Sequence, residues 1–204
     1  MAIINQATRE LQLKIVYYGP AMGGKTTNLV QVHDHVQTQA GNKGKLVSLA
    51  TSSDRTLFFD FLPIEAMTIK GFKTKFQLYT VPGQVIYNTT RQLVLRGVDG
   101  IVFVGDSQYE KMPENLESFQ NLMDNLTSLK LNIAEIPYVL QYNKRDLANA
   151  APVEYLEYLL NNREVQMPSF TATAHKCEGV FESLNMITRL LLQKFINQNA
   201  PQPA

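Results

Sequence analysis

Eight residues near the start of the chain, Gly-Pro-Ala-Met-Gly-Gly-Lys-Thr at 19–26, constrain its fold more than any other feature. They match the pattern G-x-x-x-x-G-K-[S/T] and stand between a β-branched and aromatic run at 11–18 and a stretch at 26–39 with helically spaced apolar residues. Glycines let successive backbone N–H groups turn inward around phosphate oxygens, and the following helix directs the positive end of its dipole to the same point. The segment therefore predicts a phosphate-binding loop between a strand and a helix.

The residues of this loop have distinct expected contributions. Lys25 is predicted to supply positive charge to the β- and γ-phosphates of a bound nucleotide, and the Thr26 hydroxyl is predicted to ligate Mg²⁺. The other positions expected to contact the nucleotide here are Gly19, Ala21, Met22, Gly23, Gly24 and Thr27. The alternative, a glycine-rich turn with an exposed lysine, is disfavoured by the strand-like and helix-like flanks.

Strand-like and helix-like segments alternate along the rest of the chain. Apolar strand-like runs lie at 13–18, 45–50, 56–62, 72–81, 100–106, 136–143 and 168–173. Helix-like stretches lie at 26–39, 85–97, 113–130, 152–162 and 178–197. The runs at 100–106 and 136–143 are continuously apolar, as parallel strands covered on both faces are, whereas 72–81 alternates and suits a hairpin with 56–62 at the sheet edge. We expect an α/β fold with a doubly wound, mostly parallel sheet and one antiparallel edge strand.

Composition narrows the possible function classes. The 204 residues suit one domain, predicted to occupy 1–197 and to be followed by a short polar tail at 198–204. A net charge of +1 gives no electrostatic case for binding nucleic acid or an anionic membrane surface. The single cysteine, Cys177, fits a reducing compartment, and no apolar run approaches the roughly 20 residues that span a bilayer. We expect a cytoplasmic protein without a membrane anchor of its own.

A second motif predicts which base is recognised. The tetrapeptide Asn143-Lys144-Arg145-Asp146 has the pattern N-K-x-D and follows a buried-strand pattern. A carboxylate at Asp146 can accept hydrogen bonds from guanine N1–H and N2–H₂, whereas adenine has no donor at either position. The stem of Lys144 is expected to pack along the base, and a backbone N–H near Ala174 to donate to guanine O6. The other positions expected at the base are Asn143, Thr173 and His175.

Together these motifs resemble the small Ras-like GTPases of the P-loop NTPase class. The stronger resemblance is to their bacterial branch that controls gliding motility and cell polarity, the MglA family. It covers nearly the whole chain and is carried by the segments KIVYYGP, DRTLFFDFLP, LYTVPGQV, GVDG and IPYVLQYNKRDL.

The resemblance implies two switch segments around the γ-phosphate. The first contains Asp54-Arg55-Thr56, in which Thr56 completes the Mg²⁺ shell and Arg55 is an arginine finger supplied in cis. In the second, Thr80–Gln84, the Gly83 N–H binds the γ-phosphate and Gln84 orients the attacking water. Catalysis is thereby assigned to Gln84, Arg55 and Lys25.

Three positions depart from the pattern usual among Ras-like proteins or compensate for a departure. Thr80 stands where most of them carry an aspartate that supports Mg²⁺, a substitution that the MglA family shares. Asp60 is a candidate replacement carboxylate, and a purely structural role for it is equally open. Ala21 replaces the usual glycine, and its methyl group points towards the space that Gln84 and an arginine need during hydrolysis, so we expect slow GTP hydrolysis.

The resulting expectation is a GTP/GDP switch that uses Mg²⁺. The resemblance implies a GAP dimer of the roadblock fold (MglB-like), effectors of polarity and motility, and recruitment to a cell pole by such partners. A recruitment scaffold that binds GTP with negligible hydrolysis is the alternative, since Ala21 and Thr80 weaken catalysis. An ATP-dependent kinase or ATPase is disfavoured by the motif at 143–146.

Overall fold

Strands and helices alternate along the chain in a computed structural model that describes residues 3–40, 47–50, 56–69, 71–162 and 166–198. The strands are β1 (Ile3–Asn5), β2 (Glu10–Tyr18), β3 (Val47–Ala50), β4 (Thr56–Ile69), β5 (Phe72–Thr80), β6 (Gly100–Asp106), β7 (Tyr138–Asn143) and β8 (Ser169–Thr171). The helices are α1 (Lys25–Ala40), α2 (Asn88–Leu95), α3 (Met112–Ser128), α4 (Val153–Leu160) and α5 (Val180–Gln198). Over the described ranges, no helix is long and apolar enough to cross a membrane.

Eight strands of the described residues form one sheet, with the order β3-β4-β5-β2-β6-β7-β8 and with β1 paired to β2 beside this path. Parallel pairing joins β2 to both β5 and β6, and β7 to both β6 and β8. β4 pairs antiparallel with β5, which forms the predicted hairpin. β4 also pairs antiparallel with β3, the strand at one edge of the sheet order. The predicted doubly wound, mostly parallel α/β fold is confirmed.

Helices cover both faces of the central strands. Neighbouring side chains of a strand point to opposite faces, so each central strand contributes to two cores. Val16 and Tyr18 of β2 pack in a core with side chains of α2, α3 and α4. Ile15 and Tyr17 pack on the other face with side chains of α1 and α5. Every residue of β6 and β7 is buried, as their continuous apolar runs predict.

The hairpin of β4 and β5 shows the alternation read from its sequence. In β5 the side chains of Thr74, Phe76 and Leu78 are buried, whereas intervening polar side chains are partly exposed. β4 extends beyond the predicted end at 62 because its pairing with β5 continues to Ile69↔Phe72, across an irregularity between Glu65 and Thr68.

The parallel strands bring three connections to one edge of the sheet. Gly19 follows β2, Ser107 follows β6 and Lys144 follows β7. In open sheets of this kind, the carboxyl ends of the strands form the binding crevice. The predicted phosphate loop and the predicted base motif therefore meet at this edge.

Candidate functional site

The predicted phosphate loop connects β2 to α1 and lies against β7. Its members run from Gly19 to Thr27 in the first turn of α1, and Met22 is exposed with φ +58°. Gly24 has φ +101°, and a Cβ on this residue would lie 2.1 Å from Asn143 Nδ2. No larger residue fits there without displacing the asparagine, so Gly24 brings the loop and the base motif into direct contact.

Lys25 begins α1, and only 6% of its surface is exposed. Its Nζ donates hydrogen bonds to Gly19 O (3.0 Å) and Pro20 O (2.6 Å), which curl the loop around the ammonium group. Burial lowers the pKa of Lys25 to about 7; the nearby Arg91 charge adds to this shift, and the Asp60 carboxylate opposes it. A phosphate group at the loop would favour the charged lysine.

Asp60 of β4 links the start of α1 to the end of β5. Its side chain is fully buried, and its Oδ2 accepts hydrogen bonds from Thr26 Oγ1 (2.6 Å) and Thr80 Oγ1 (2.9 Å). The Asp60 backbone N–H donates to Thr80 Oγ1 (2.8 Å). Thr80, which stands where most Ras-like proteins carry an aspartate, is therefore hydrogen-bonded to the Asp60 carboxylate of the neighbouring strand.

This cluster fits a magnesium ion that is held largely by a nucleotide. Among the residues that the structure describes, no group of three or more His, Cys, Asp or Glu side chains could hold a metal ion by itself. Mg²⁺ in nucleotide sites uses few protein ligands together with phosphate oxygens and water. The Thr26 hydroxyl donates a hydrogen bond to Asp60, and a hydroxyl that donates through its hydrogen can bind a cation through its oxygen.

The segment after β5 returns to the phosphate loop. A Cβ built on Gly83 would lie 2.2 Å from Ala21 Cα and 3.0 Å from Ala21 Cβ, so the Gly83 backbone packs directly on Ala21. Gln84 follows in an extended conformation (φ −84°, ψ 133°) just before a short 3₁₀ turn at Val85–Tyr87. Ala21 therefore contacts the residue that precedes the predicted catalytic glutamine.

Most of the first predicted switch lies outside the residues that the structure describes. Asp54 and Arg55 lie outside the described residues. Thr56 is the first residue of β4 and its backbone pairs with Ala50, but its side chain is also outside the described part.

Asn143 joins the base motif to two other loops. Its Nδ2 donates to Gly23 O (2.8 Å), and its Oδ1 accepts a hydrogen bond from Ala174 N (2.9 Å). The Ala174 N–H, which lies in the segment predicted to supply a backbone donor to guanine O6, thus donates to Asn143. Thr173 is buried beside it, at the start of the 3₁₀ turn Ala174–Lys176.

Lys144 and Asp146 have different partners at the same end of β7. Lys144 has φ +65°, and its Nζ forms an ion pair of 2.5 Å with the buried Asp106 Oδ2. Asp146 Oδ2 lies 3.7 Å from Nε2 of His175, a side chain that is 59% exposed. The Asp146 carboxylate and the His175 ring therefore border the same opening.

Several buried polar side chains that shape this site were not predicted from the sequence. Asp106 ends an apolar strand, which is a usable signal for a binding-edge carboxylate. Asn28 and Gln141 exchange two amide hydrogen bonds (2.8 and 2.9 Å) that join α1 to β7 beneath the loop. Arg91 of α2 is fully buried although its sequence context predicts a helix surface position. No feature of the sequence indicates that Arg91 is buried.

Comparisons with known proteins agree with this geometry. A profile of the Ras family matches residues 45–193. The chain is 53% identical over 192 residues to the mutual gliding-motility protein MglA of Myxococcus xanthus (strain DK1622), covering 94% of this chain and 96% of that protein. It is 29% identical over 140 residues to the Ras-related protein Rab-13 of dog and to that of rat, covering 68% of this chain and 66% of each relative. The resemblance to the MglA family predicted from the motifs is confirmed.

Proposed function

The chain belongs to the Ras family of small GTPases, which are GTP hydrolases, and we propose that it is a GTP/GDP switch that recruits partners according to the bound nucleotide. The relative from Myxococcus xanthus is named for gliding motility, and on that basis we assign this chain to the control of motility and cell polarity. The proposed GTPase domain spans 1–197, followed by a polar tail at 198–204.

The observation that carries this proposal is the pair of hydrogen bonds made by Asn143. Through Gly23 O and Ala174 N, this side chain holds the phosphate loop, the base motif and the 173–175 turn around one opening. A single nucleotide can then place its phosphates at Lys25 and its base at Asp146. A carboxylate at the base position selects guanine, because adenine would leave it without a donor.

We assign the ion partner as Mg²⁺, with Thr26 and Thr56 as protein ligands. Asp60 supports the metal indirectly, since it accepts a hydrogen bond from the Thr26 hydroxyl and adds a negative charge close to the cation. These residues would hold the ion beside the phosphates, where its chemistry would be to neutralise phosphate charge. Asp60 thus takes over the role that an aspartate at position 80 would have had.

We assign slow hydrolysis to the same site. Gln84 orients the attacking water, Arg55 stabilises the developing charge, and the Gly83 N–H binds the γ-phosphate. The contact between Ala21 and Gly83 supports reduced turnover, because Gly83 directly precedes Gln84 and all three residues line one cavity. This same contact favours the second candidate, a GTP-binding scaffold whose hydrolysis is negligible.

The proposed partners read the two switch segments. They are a roadblock-fold GAP dimer (MglB-like) and effectors of polarity and motility, with which the protein would be recruited from the cytoplasm to a cell pole. No nucleic acid and no direct membrane anchor are part of this proposal.

Two measurements test the proposed function. Competition for a fluorescent GDP analogue by GDP, GTP and ATP should show tight guanine binding and at least a 10⁴-fold weaker effect of ATP. Equal competition by ATP would refute the base assignment. A pull-down from native lysate, with the protein loaded with GDP or with a non-hydrolysable GTP analogue, should capture partners in only one state. Identical partners in both states would refute the switch.

A further inference from the structure

Arg91 is an arginine in α2 that solvent does not reach. It is fully buried, and its guanidinium lies 5.2 Å from the centre of the Tyr18 ring. Its hydrogen-bond acceptors are neutral oxygens: Nη1 donates to Asn121 Oδ1 (2.6 Å), with Tyr18 OH at 3.5 Å. An arginine buried among neutral acceptors is expensive to desolvate, so its position needs an explanation beyond packing.

The remaining donors of Arg91 hold the turn that carries Gly83. Arg91 Nε donates to Pro82 O (2.8 Å), and Arg91 Nη2 donates to Gly83 O (2.6 Å). The Pro82 carbonyl and the Gly83 N–H belong to one peptide unit, which is trans. In a trans unit these two groups point in opposite directions, so the Gly83 N–H points away from the guanidinium.

The charge of Arg91 also reaches the phosphate loop. Gly83 packs on Ala21, so the turn that Arg91 holds lies directly against the loop. The proximity of Arg91 also lowers the pKa of Lys25, which places both positive charges near the same site. A guanidinium bonded to the carbonyl end of a peptide polarises that peptide and strengthens its N–H as a donor.

We propose that Arg91 is a positioning residue for the third phosphate: it fixes the direction of the Gly83 N–H and so sets the preference for GTP over GDP. This inference rests on the proposed function, because it requires that the Gly83 N–H binds the γ-phosphate. Arg91 itself does not touch the nucleotide. Its effect is specific to the triphosphate because GDP has no group for that N–H to bind.

The test compares the affinities for GDP and for a non-hydrolysable GTP analogue at one Mg²⁺ concentration. In Arg91→Met, which is apolar, binding of the GTP analogue should weaken about 10- to 100-fold while GDP binding changes less than about threefold. Arg91→Lys keeps the charge but loses the planar fork that donates to Pro82 O, Gly83 O and Asn121 Oδ1 from three nitrogens, so it should show a smaller loss in the same direction. If Arg91→Met does not yield folded protein, Arg91→Lys carries the comparison.

The matched control is Asn125→Ala. Asn125 Nδ2 bonds Tyr18 OH (3.0 Å) and Asn121 Oδ1 (3.1 Å), so its loss disturbs the same buried network without touching Pro82 or Gly83. It should lower the melting temperature and leave the GTP-to-GDP affinity ratio unchanged. A wild-type ratio in every Arg91 variant that folds, or an equal change of the ratio in Asn125→Ala, would overturn the inference. Wild-type protein that binds neither nucleotide would instead refute the proposed function, and the inference with it.

Discussion

Replacing Asp60 by asparagine tests the proposed replacement carboxylate with almost no change of shape. The buried Oδ2 of Asp60 accepts hydrogen bonds from the hydroxyls of Thr26 (2.6 Å) and Thr80 (2.9 Å). An asparagine oxygen at the same place can still accept both, but as a neutral group. The substitution therefore removes a charge while preserving the hydrogen-bond pattern.

The size of the effect follows from these two bonds and from the metal. Hydrogen bonds to a charged acceptor contribute about 1.5–3 kcal/mol, against about 0.5–1.5 kcal/mol for neutral ones, so two bonds lose roughly 2–3 kcal/mol together. Loss of a group that supports a metal ligand typically weakens metal binding about 10- to 100-fold. We therefore expect Asp60→Asn to need about 10- to 100-fold more Mg²⁺ for the same retention of nucleotide.

The assay is the release rate of a fluorescent GDP analogue as Mg²⁺ is titrated. Thr80→Val is the control, since it removes one hydroxyl but leaves the Asp60 charge, and its Mg²⁺ midpoint should move less than about threefold. If Asp60→Asn lowered thermal stability but kept the wild-type Mg²⁺ midpoint, Asp60 would be a structural carboxylate and the reasoning would be wrong.

Three further predictions address hydrolysis, base choice and pH. Ala21→Gly should accelerate single-turnover GTP cleavage by about tenfold or more, because it frees space beside Gln84; an unchanged rate would contradict the steric argument. Asp146→Asn should shift affinity from GTP towards XTP by about 100-fold or more in competition assays, since xanthine O2 accepts from an amide; a retained GTP preference would exclude Asp146 as the base reader. The pKa of Lys25 is lowered to about 7 in the nucleotide-free fold, so the unfolded chain binds more protons between pH 7 and 10, and the stability of that fold should rise with pH in this window. Phosphate restores the charged lysine, so calorimetry at pH 8.5 in buffers of different ionisation enthalpy should show uptake of about one proton on GDP binding, and no uptake would contradict the pKa shift.

Local pattern was sufficient to predict most of the fold. The continuous apolar runs of β6 and β7 and the alternation of β5 follow directly from how many faces of each strand are covered. The phosphate loop was recognisable because its glycines and lysine are set by backbone geometry and charge within one short segment. Gly24 is one of these glycines, and the pattern of the loop predicts it. Its close contact with Asn143 joins residues far apart in sequence.

Long-range contacts account for what the sequence could not predict. β4 extends to Ile69 because β5 is present to pair with it, not because of its own pattern. Arg91 lies in a helix where charged residues usually face solvent, and its buried partners, among them the carbonyls of Pro82 and Gly83, come from distant or irregular parts of the chain. A backbone N–H near Ala174 was predicted to donate to guanine O6, and the hydrogen bond from Ala174 N–H to Asn143 Oδ1 becomes visible only in three dimensions.

The two hydrogen bonds of Asn143 also bear on how tightly the site can bind. Loops on a sheet edge are mobile unless other groups hold them, and ordering them on binding would reduce affinity. Asn143 joins the phosphate loop at Gly23 to the turn at Ala174 through protein groups alone. The distance between the phosphate and base contacts is then set by the protein, so a nucleotide that spans both meets a preformed pocket. Since Gly24 is the residue that lets Asn143 approach so closely, we expect guanine recognition to depend on this glycine of the phosphate loop as well as on Asp146.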